Sequence, residues 1–158
     1  MVFSLTTFYS RRWGERRVAL VTVVLRDILG IPVWAVGFGL AARAKAPLLF
    51  AKTSASSAAG IILIIGGSGI IIAALAAIRS KAAAPSLTDG LVRKGLYAHV
   101  RHPIHSGTFL EFAGLFLLKP SAPVAVACVL GTIWIFVQSF LEESDLAQRI
   151  PAYPEYMK

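Results

Sequence analysis

Gly95-Leu96-Tyr97-Ala98-His99-Val100-Arg101-His102-Pro103-Ile104-His105-Ser106-Gly107 is the stretch in which polar chemistry meets the start of an apolar segment. Pro103 suits the first position of a helix, where its missing N–H would be an orphan in any case and its φ is already set. A helix that starts there has Arg101 and His102 at its mouth. The free N–H groups of a first turn and the positive end of the helix dipole favour an anionic group, such as a carboxylate or a phosphate. A guanidinium and an imidazole beside them strengthen that preference.

Outward from this stretch the chain is apolar. Of its 158 residues 56% are hydrophobic and 15% charged, with a mean hydropathy of +0.70, whereas a soluble domain carries about 25% charged residues. The composition predicts an integral membrane protein in contact with membrane lipids. The formal net charge of +8 would suit nucleic acid only with a basic face on a water-soluble fold. Nucleic acid is therefore not expected as a partner, and a positive-inside bias accounts for the charge. The lone Cys128 lies within an apolar run, which excludes an intramolecular disulfide and leaves a small packing residue.

Four apolar runs can be marked, roughly 18–42, 57–78, 104–118 and 122–141. Crossing the hydrocarbon core takes about 20 helical residues. The third run falls short, so that segment is expected to be thin, tilted at the interface or extended back to Arg101. Lys119, Pro120, Ser121 and Pro123 turn the chain tightly, so the last two runs should form an antiparallel helical hairpin. The fold class expected is all-α, a multi-pass transmembrane helical bundle with about four spanning helices. Residues 1–80 would form the N-terminal transmembrane helices. Residues 81–158 would carry the chemistry and end in a cytoplasmic C-terminal helix.

Arg26 and Asp27 interrupt the first run. Charges at bilayer depth are costly, and helix neighbours point about 100° apart, so this pair needs headgroups or partners on other helices. Pro32 should kink that helix. The second run holds Gly60, Gly66, Gly67, Ser68 and Gly69. A phosphate loop would need a Lys and a Ser or Thr after the glycines, so close helix packing through small residues is the reading, and a homodimer is compatible with it.

Orientation follows from the basic residues. With four crossings, Arg11, Arg12, Arg16, Arg17, Arg79, Lys81, Arg93, Lys94, Arg101, Arg149 and Lys158 share one face, and Arg43, Lys45, Lys52 and Lys119 the other. That bias puts both termini in the cytoplasm. Arg101-His102 and Glu142-Glu143 then fall on the same side of the membrane.

On the third run Gly107, Glu111 and Gly114 form one stripe, at spacings of four and three. Small residues there let a helix or a ligand approach closely, and Glu111, expected inside the hairpin, is satisfied by a helix partner, kept protonated by desolvation, or in contact with substrate. Gln138, Glu142 and Asp145 share a face where the last helix leaves the lipid. Carboxylates against the negative end of a helix dipole are unfavourable, which calls for a cation such as Arg101 or for a bound ligand.

Gly95-Leu96-Tyr97, Arg101-His102-Pro103 and Gly107, followed across a helical hairpin by Glu142-Glu143 and an ending with Tyr153 and Tyr156, resemble the isoprenylcysteine carboxyl methyltransferase and phospholipid N-methyltransferase superfamily. These are multi-pass membrane enzymes that use S-adenosylmethionine. The resemblance covers roughly residues 85–157. It implies that Tyr97, Arg101, His102, Pro103 and Gly107 build one wall of a cofactor pocket and Glu142 and Glu143 the other. Arg101 and Glu143, with His105 beside them, are the candidate catalytic positions, and no metal is expected. The acceptor would be lipophilic or membrane-embedded: a prenylcysteine carboxylate, a lipid amine or a small thiol. Two departures stand out. Family members commonly have Tyr where this chain has His105, and they often continue past the position of Lys158 with basic and proline-containing residues.

Two other readings compete. The C-terminal portions of membrane sterol reductases look similar but use a nicotinamide cofactor, and the adjacent acids and the Arg-His-Pro order favour the methyltransferase. A non-enzymatic four-helix transporter or assembly factor would instead use Glu111, Arg26 and Asp27 as a path for an ion or substrate.

Overall fold

The computed structural model describes residues 31–78 and 91–157, together with residues 12–14, 17, 21 and 24. Arg26, Asp27 and the stretch 79–90 lie outside the described residues, as do residues 25–30, on which the expected kink at Pro32 depends. The described chain is all helical, with no strand beyond one isolated bridge. In order come α1 (Ile31–Arg43), α2 (Ser54–Ile78), a 3-10 turn (Gly95–Ala98), α3 (Pro103–Leu118), α4 (Ala122–Arg149) and the short α5 (Tyr153–Tyr156).

Helix α2 begins with a reciprocal cap. Ser56 N–H donates to Thr53 Oγ1 and Thr53 N–H donates to Ser56 Oγ, each at 3.0 Å, which satisfies two backbone donors at the helix end. Its 25 residues rise about 38 Å, enough to cross a bilayer. Only 11% of its most apolar window is buried by protein, and 17% of that of α4. A core helix of a soluble protein would be mostly covered. Ile62, Ile65 and Ile72, each about two-thirds exposed, form an apolar surface suited to lipid rather than water.

Helix α3 packs antiparallel along α2, backbone against backbone. A Cβ added at Gly67 would lie 2.5 Å from the Gly107 carbonyl oxygen, and one at Gly60 would lie 2.8 Å from that of Gly114. Such an approach allows Cα–H···O contacts of roughly 0.5–1 kcal/mol each. Beside the Gly67/Gly107 contact, Ser68 Oγ donates to Glu111 Oε1 at 2.6 Å. The Gly107/Glu111/Gly114 stripe therefore meets α2, and Glu111 has its partner there rather than inside the hairpin. The small-residue surface of the second run is partly used within the chain, while Gly66 and Gly69 face open space.

The hairpin forms as expected, with Lys119–Ser121 reversing the chain. Leu49 N–H donates to Pro120 O at 2.7 Å, tying the loop after α1 to that turn. Phe38 stacks on Phe112 with ring centroids 5.0 Å apart, seating α1 against the pair. Helix α3 does not extend back to Arg101. The residue before a proline is held out of the helical region, and His102 sits at φ −124°, ψ 66°. The 16 residues of α3 rise only about 24 Å, so its N-terminus stops short of the end of α4, whose 28 residues rise about 42 Å.

Gly67→Ala should destabilise the protein by about 1–3 kcal/mol, since the new Cβ meets backbone that cannot give way. Gly69→Ala, in open space, should be neutral or stabilising by up to about 1 kcal/mol, the helix-propensity gain. Reversible unfolding in mixed detergent micelles distinguishes the two variants.

Candidate functional site

Two helix faces with the same spacing meet at the far end of the hairpin. His102, His105, Ser106 and Phe109 follow the 0, 3, 4, 7 pattern from the mouth of α3, and Phe136, Ser139, Phe140 and Glu143 repeat it on α4. Residues at that spacing share one helix face, so two antiparallel helices can align them rung by rung. His102 Nε2 lies 2.9 Å from Glu143 Oε1, His105 Nδ1 lies 2.7 Å from Ser139 Oγ, and the rings of Phe109 and Phe136 are 5.6 Å apart. These eight residues line a groove of about 330 Å³. Phe136 and Phe140, 64% and 70% exposed, leave its side open toward the bilayer.

The polar end of the groove is a charged cluster. Arg101 Nη1 donates to Glu143 Oε1 at 3.2 Å, with the guanidinium side chain 44% exposed. A pair that open to solvent contributes about 0–1 kcal/mol, so Arg101 can leave Glu143 for a ligand at little cost. His102 stands between the two acids, with Nδ1 3.8 Å from Glu142 Oε2. Its ring stacks on that of His105 at 5.2 Å with 12° between the planes, which fixes the orientation of both. The N-terminus of α3, with Pro103 buried at its first position, opens onto the same cluster.

A strap of chain covers the cluster from the C-terminal side. Arg93 Nη2 donates to Ala152 O at 2.7 Å, and its guanidinium lies 5.5 Å from the centre of the Tyr156 ring. The Tyr156 hydroxyl donates to the Tyr97 carbonyl. Tyr153, 2% exposed, is held against the acids. Burial pushes the Tyr97 phenol up to about 12, and the negative charge of Glu142 adds to it. Burial, then Glu143 and Glu142, raise Tyr153 in the same direction.

Of the positions expected from the sequence, the structure brings Arg101, His102, Glu142 and Glu143 together, with Tyr97 behind them on the strap side and His105 one turn into the groove. Gly107 is elsewhere. It points at α2, where Gly67 O and Ile71 would meet its Cβ, and it is two residues, or about 200° of helix, from His105. Ser139, Ser106, Phe109, Phe136 and Phe140 were not anticipated. The repeated 0, 3, 4, 7 spacing was the available signal. Asp145, on the same helix, is buried, at 3% exposed.

A membrane protein built of apolar helices, with a charged cluster heading an apolar groove between two of them, is the class that fold and site define. The phospholipid methyltransferase family model matches residues 55–150, more than half of the chain, and the chain belongs to that family of membrane methyltransferases. The match begins at the start of α2, ahead of the stretch 85–157 that carries the resemblance in sequence. No curated protein and no solved structure matches the chain at a significant level.

The raised phenols set a sign for alkaline stability. In the unfolded chain a tyrosine ionises near pH 10, while Tyr97 in the folded protein holds its proton to about 12. Its contribution is fully present below pH 10 and is lost as pH rises through about 12. Tyr97→Phe should shrink that alkaline loss, read by denaturant titrations between pH 9 and pH 12.

Proposed function

We propose that the chain transfers a methyl group from S-adenosylmethionine to a lipophilic or membrane-embedded acceptor, at a site on the cytoplasmic side of a multi-pass protein with both termini in the cytoplasm. The observation that carries this reading is the Arg101/His102/Glu143 cluster at the head of an apolar groove, in a chain of a methyltransferase family.

The donor set fits the charge pattern of S-adenosylmethionine. Arg101, loosely held by Glu143, and the N-terminal N–H groups of α3 suit a carboxylate. Glu142 and Glu143 suit an ammonium group and ribose hydroxyls. When bound, this molecule supplies an electrophilic methyl group on a positively charged sulfonium. The protein's task is then to align two reactants and keep water out of their way, which can contribute about 7–11 kcal/mol to lowering a barrier. Tyr97 and Tyr153 back the polar end. Phe109, Phe136 and Phe140 give the acceptor an apolar path from the lipid. The sterol-reductase and transporter alternatives lack a comparable support, since family membership favours methyl transfer over both.

Radiolabelled S-adenosylmethionine should bind the detergent-purified chain. Arg101→Ala and Glu143→Ala should each weaken binding by roughly tenfold or more, as expected for a lost charge-assisted hydrogen bond. Unchanged binding in both variants, or binding of NADPH in its place, would remove the assignment.

A further inference from the structure

We propose that the end of the bundle opposite the charged cluster holds the headgroup of an anionic phospholipid, with Lys45, Lys52 and Lys119 around its phosphate and Leu48, Leu49 and Phe50 set among the acyl chains. This site takes no part in methyl transfer and stands or falls apart from it.

The segment after α1 is fastened to the hairpin turn at three points. Leu49 N–H donates to Pro120 O at 2.7 Å, Leu48 bridges to Ser121, and the Phe50 ring meets Phe116 edge-on with centroids 5.8 Å apart. The cap between Thr53 and Ser56 then starts α2. These ties gather three lysines from two separate stretches of chain. Lys45 and Lys52 lie three and four residues to either side of Leu48, and Lys119 lies two residues before its bridge partner. Arg43, the last residue of α1, adds a fourth cation.

No acid answers them. The chain has no Asp or Glu from residue 28 to residue 88, nor from residue 112 to residue 141. Along α3 the nearest acid is Glu111, eight residues from Lys119 and bonded to Ser68, which is about 12 Å of helix. Among the described residues none of the four cations is in an ion pair, since every such pair there belongs to Arg101 or His102. Arg43, Lys45 and Lys52 are exposed and Lys119 partly so. A positive-inside bias accounts for the basic residues at the cluster end. In the proposed orientation it disfavours these four, so they call for a local anion.

The apolar residues between the lysines say which anion. Leu48, Leu49 and Phe50 are all exposed, although the backbone under them is held in place. Such a triplet suits the boundary between headgroups and acyl chains, where apolar side chains sink in and lysine stems reach back toward the phosphates. A lipid phosphate is fixed at that depth, whereas free phosphate stays in water. Choline and ethanolamine neutralise the phosphate they are attached to, so an excess of cations selects a headgroup with net negative charge, such as phosphatidylglycerol. Helices α2 and α4 both begin at this end, and the positive ends of their dipoles add to the field. Lysines that only anchored the loop at the interface would accept any phospholipid alike.

Native mass spectrometry of the detergent-purified full chain resolves single bound lipids and separates these cases. The first dioleoylphosphatidylglycerol should bind about tenfold or more tightly than the first dioleoylphosphatidylcholine, since each cation near an anionic membrane surface is worth about fivefold. Equal affinities would overturn the proposal. Lys119→Gln alone should give up about fivefold of that preference. Lys45→Gln/Lys52→Gln/Lys119→Gln should lose all of it with helix content by circular dichroism unchanged, and Lys45→Arg/Lys52→Arg/Lys119→Arg should keep it. A preference that survives in the neutral variants, or that disappears in Lys94→Gln at the other end of the bundle, would overturn the location. Inorganic phosphate should leave the bound lipid in place, and displacement by it would overturn the choice of a lipid.

Discussion

The backbone contact of Gly60 and Gly67 with Gly114 and Gly107 sets the rotation of α3, and the site depends on that rotation. Side chains at those four positions would force the helices apart, as the 2.5 Å distance from a Cβ at Gly67 to the Gly107 carbonyl makes plain. With one face of α3 committed to α2, the opposite face carries His102, His105, Ser106 and Phe109 toward α4. Turning α3 by a single residue, about 100°, would aim these histidines at lipid or at α2. A helix contact that contributes no chemistry therefore positions the one that does.

The difference in helix length does the rest. Because Pro103 starts α3 late and α4 runs on past its apolar part, Glu142 and Glu143 stand beside the open end of α3, one helix offering N–H groups and the other carboxylates. Arg101 and His102 answer them from across the groove. The cluster is half-open and weakly bonded, which suits ligand exchange better than it suits stability.

Much of this was legible in the sequence, and the reasons for the misses are physical. Pro103 and the basic pair before it marked a helix mouth because proline and charge are strong local signals. Glu142-Glu143 stood out because the preceding run is apolar. The glycine stripe was legible as a packing face, but a stripe does not say which neighbour it packs on, and Gly107 belongs to the interface with α2 and not to the groove wall. Ser139 and the phenylalanines were hidden for a different reason. A lipid-facing helix is apolar all round, so hydropathy does not mark the face that turns inward, and one hydroxyl among aromatics carries no periodic signal until the partner stripe on α3 is set beside it. Burial of Tyr153 depends on the C-terminal strap folding back, which no local pattern encodes.

The opposed faces of α3 are tested most directly by an experimental structure of the full chain in lipid, with S-adenosylhomocysteine added. Ligand density is expected between Arg101-His102 and Glu142-Glu143, with Gly67 and Gly107 in backbone contact behind it. Density against α2, or Glu143 turned to the lipid with no cavity beside it, would contradict the arrangement.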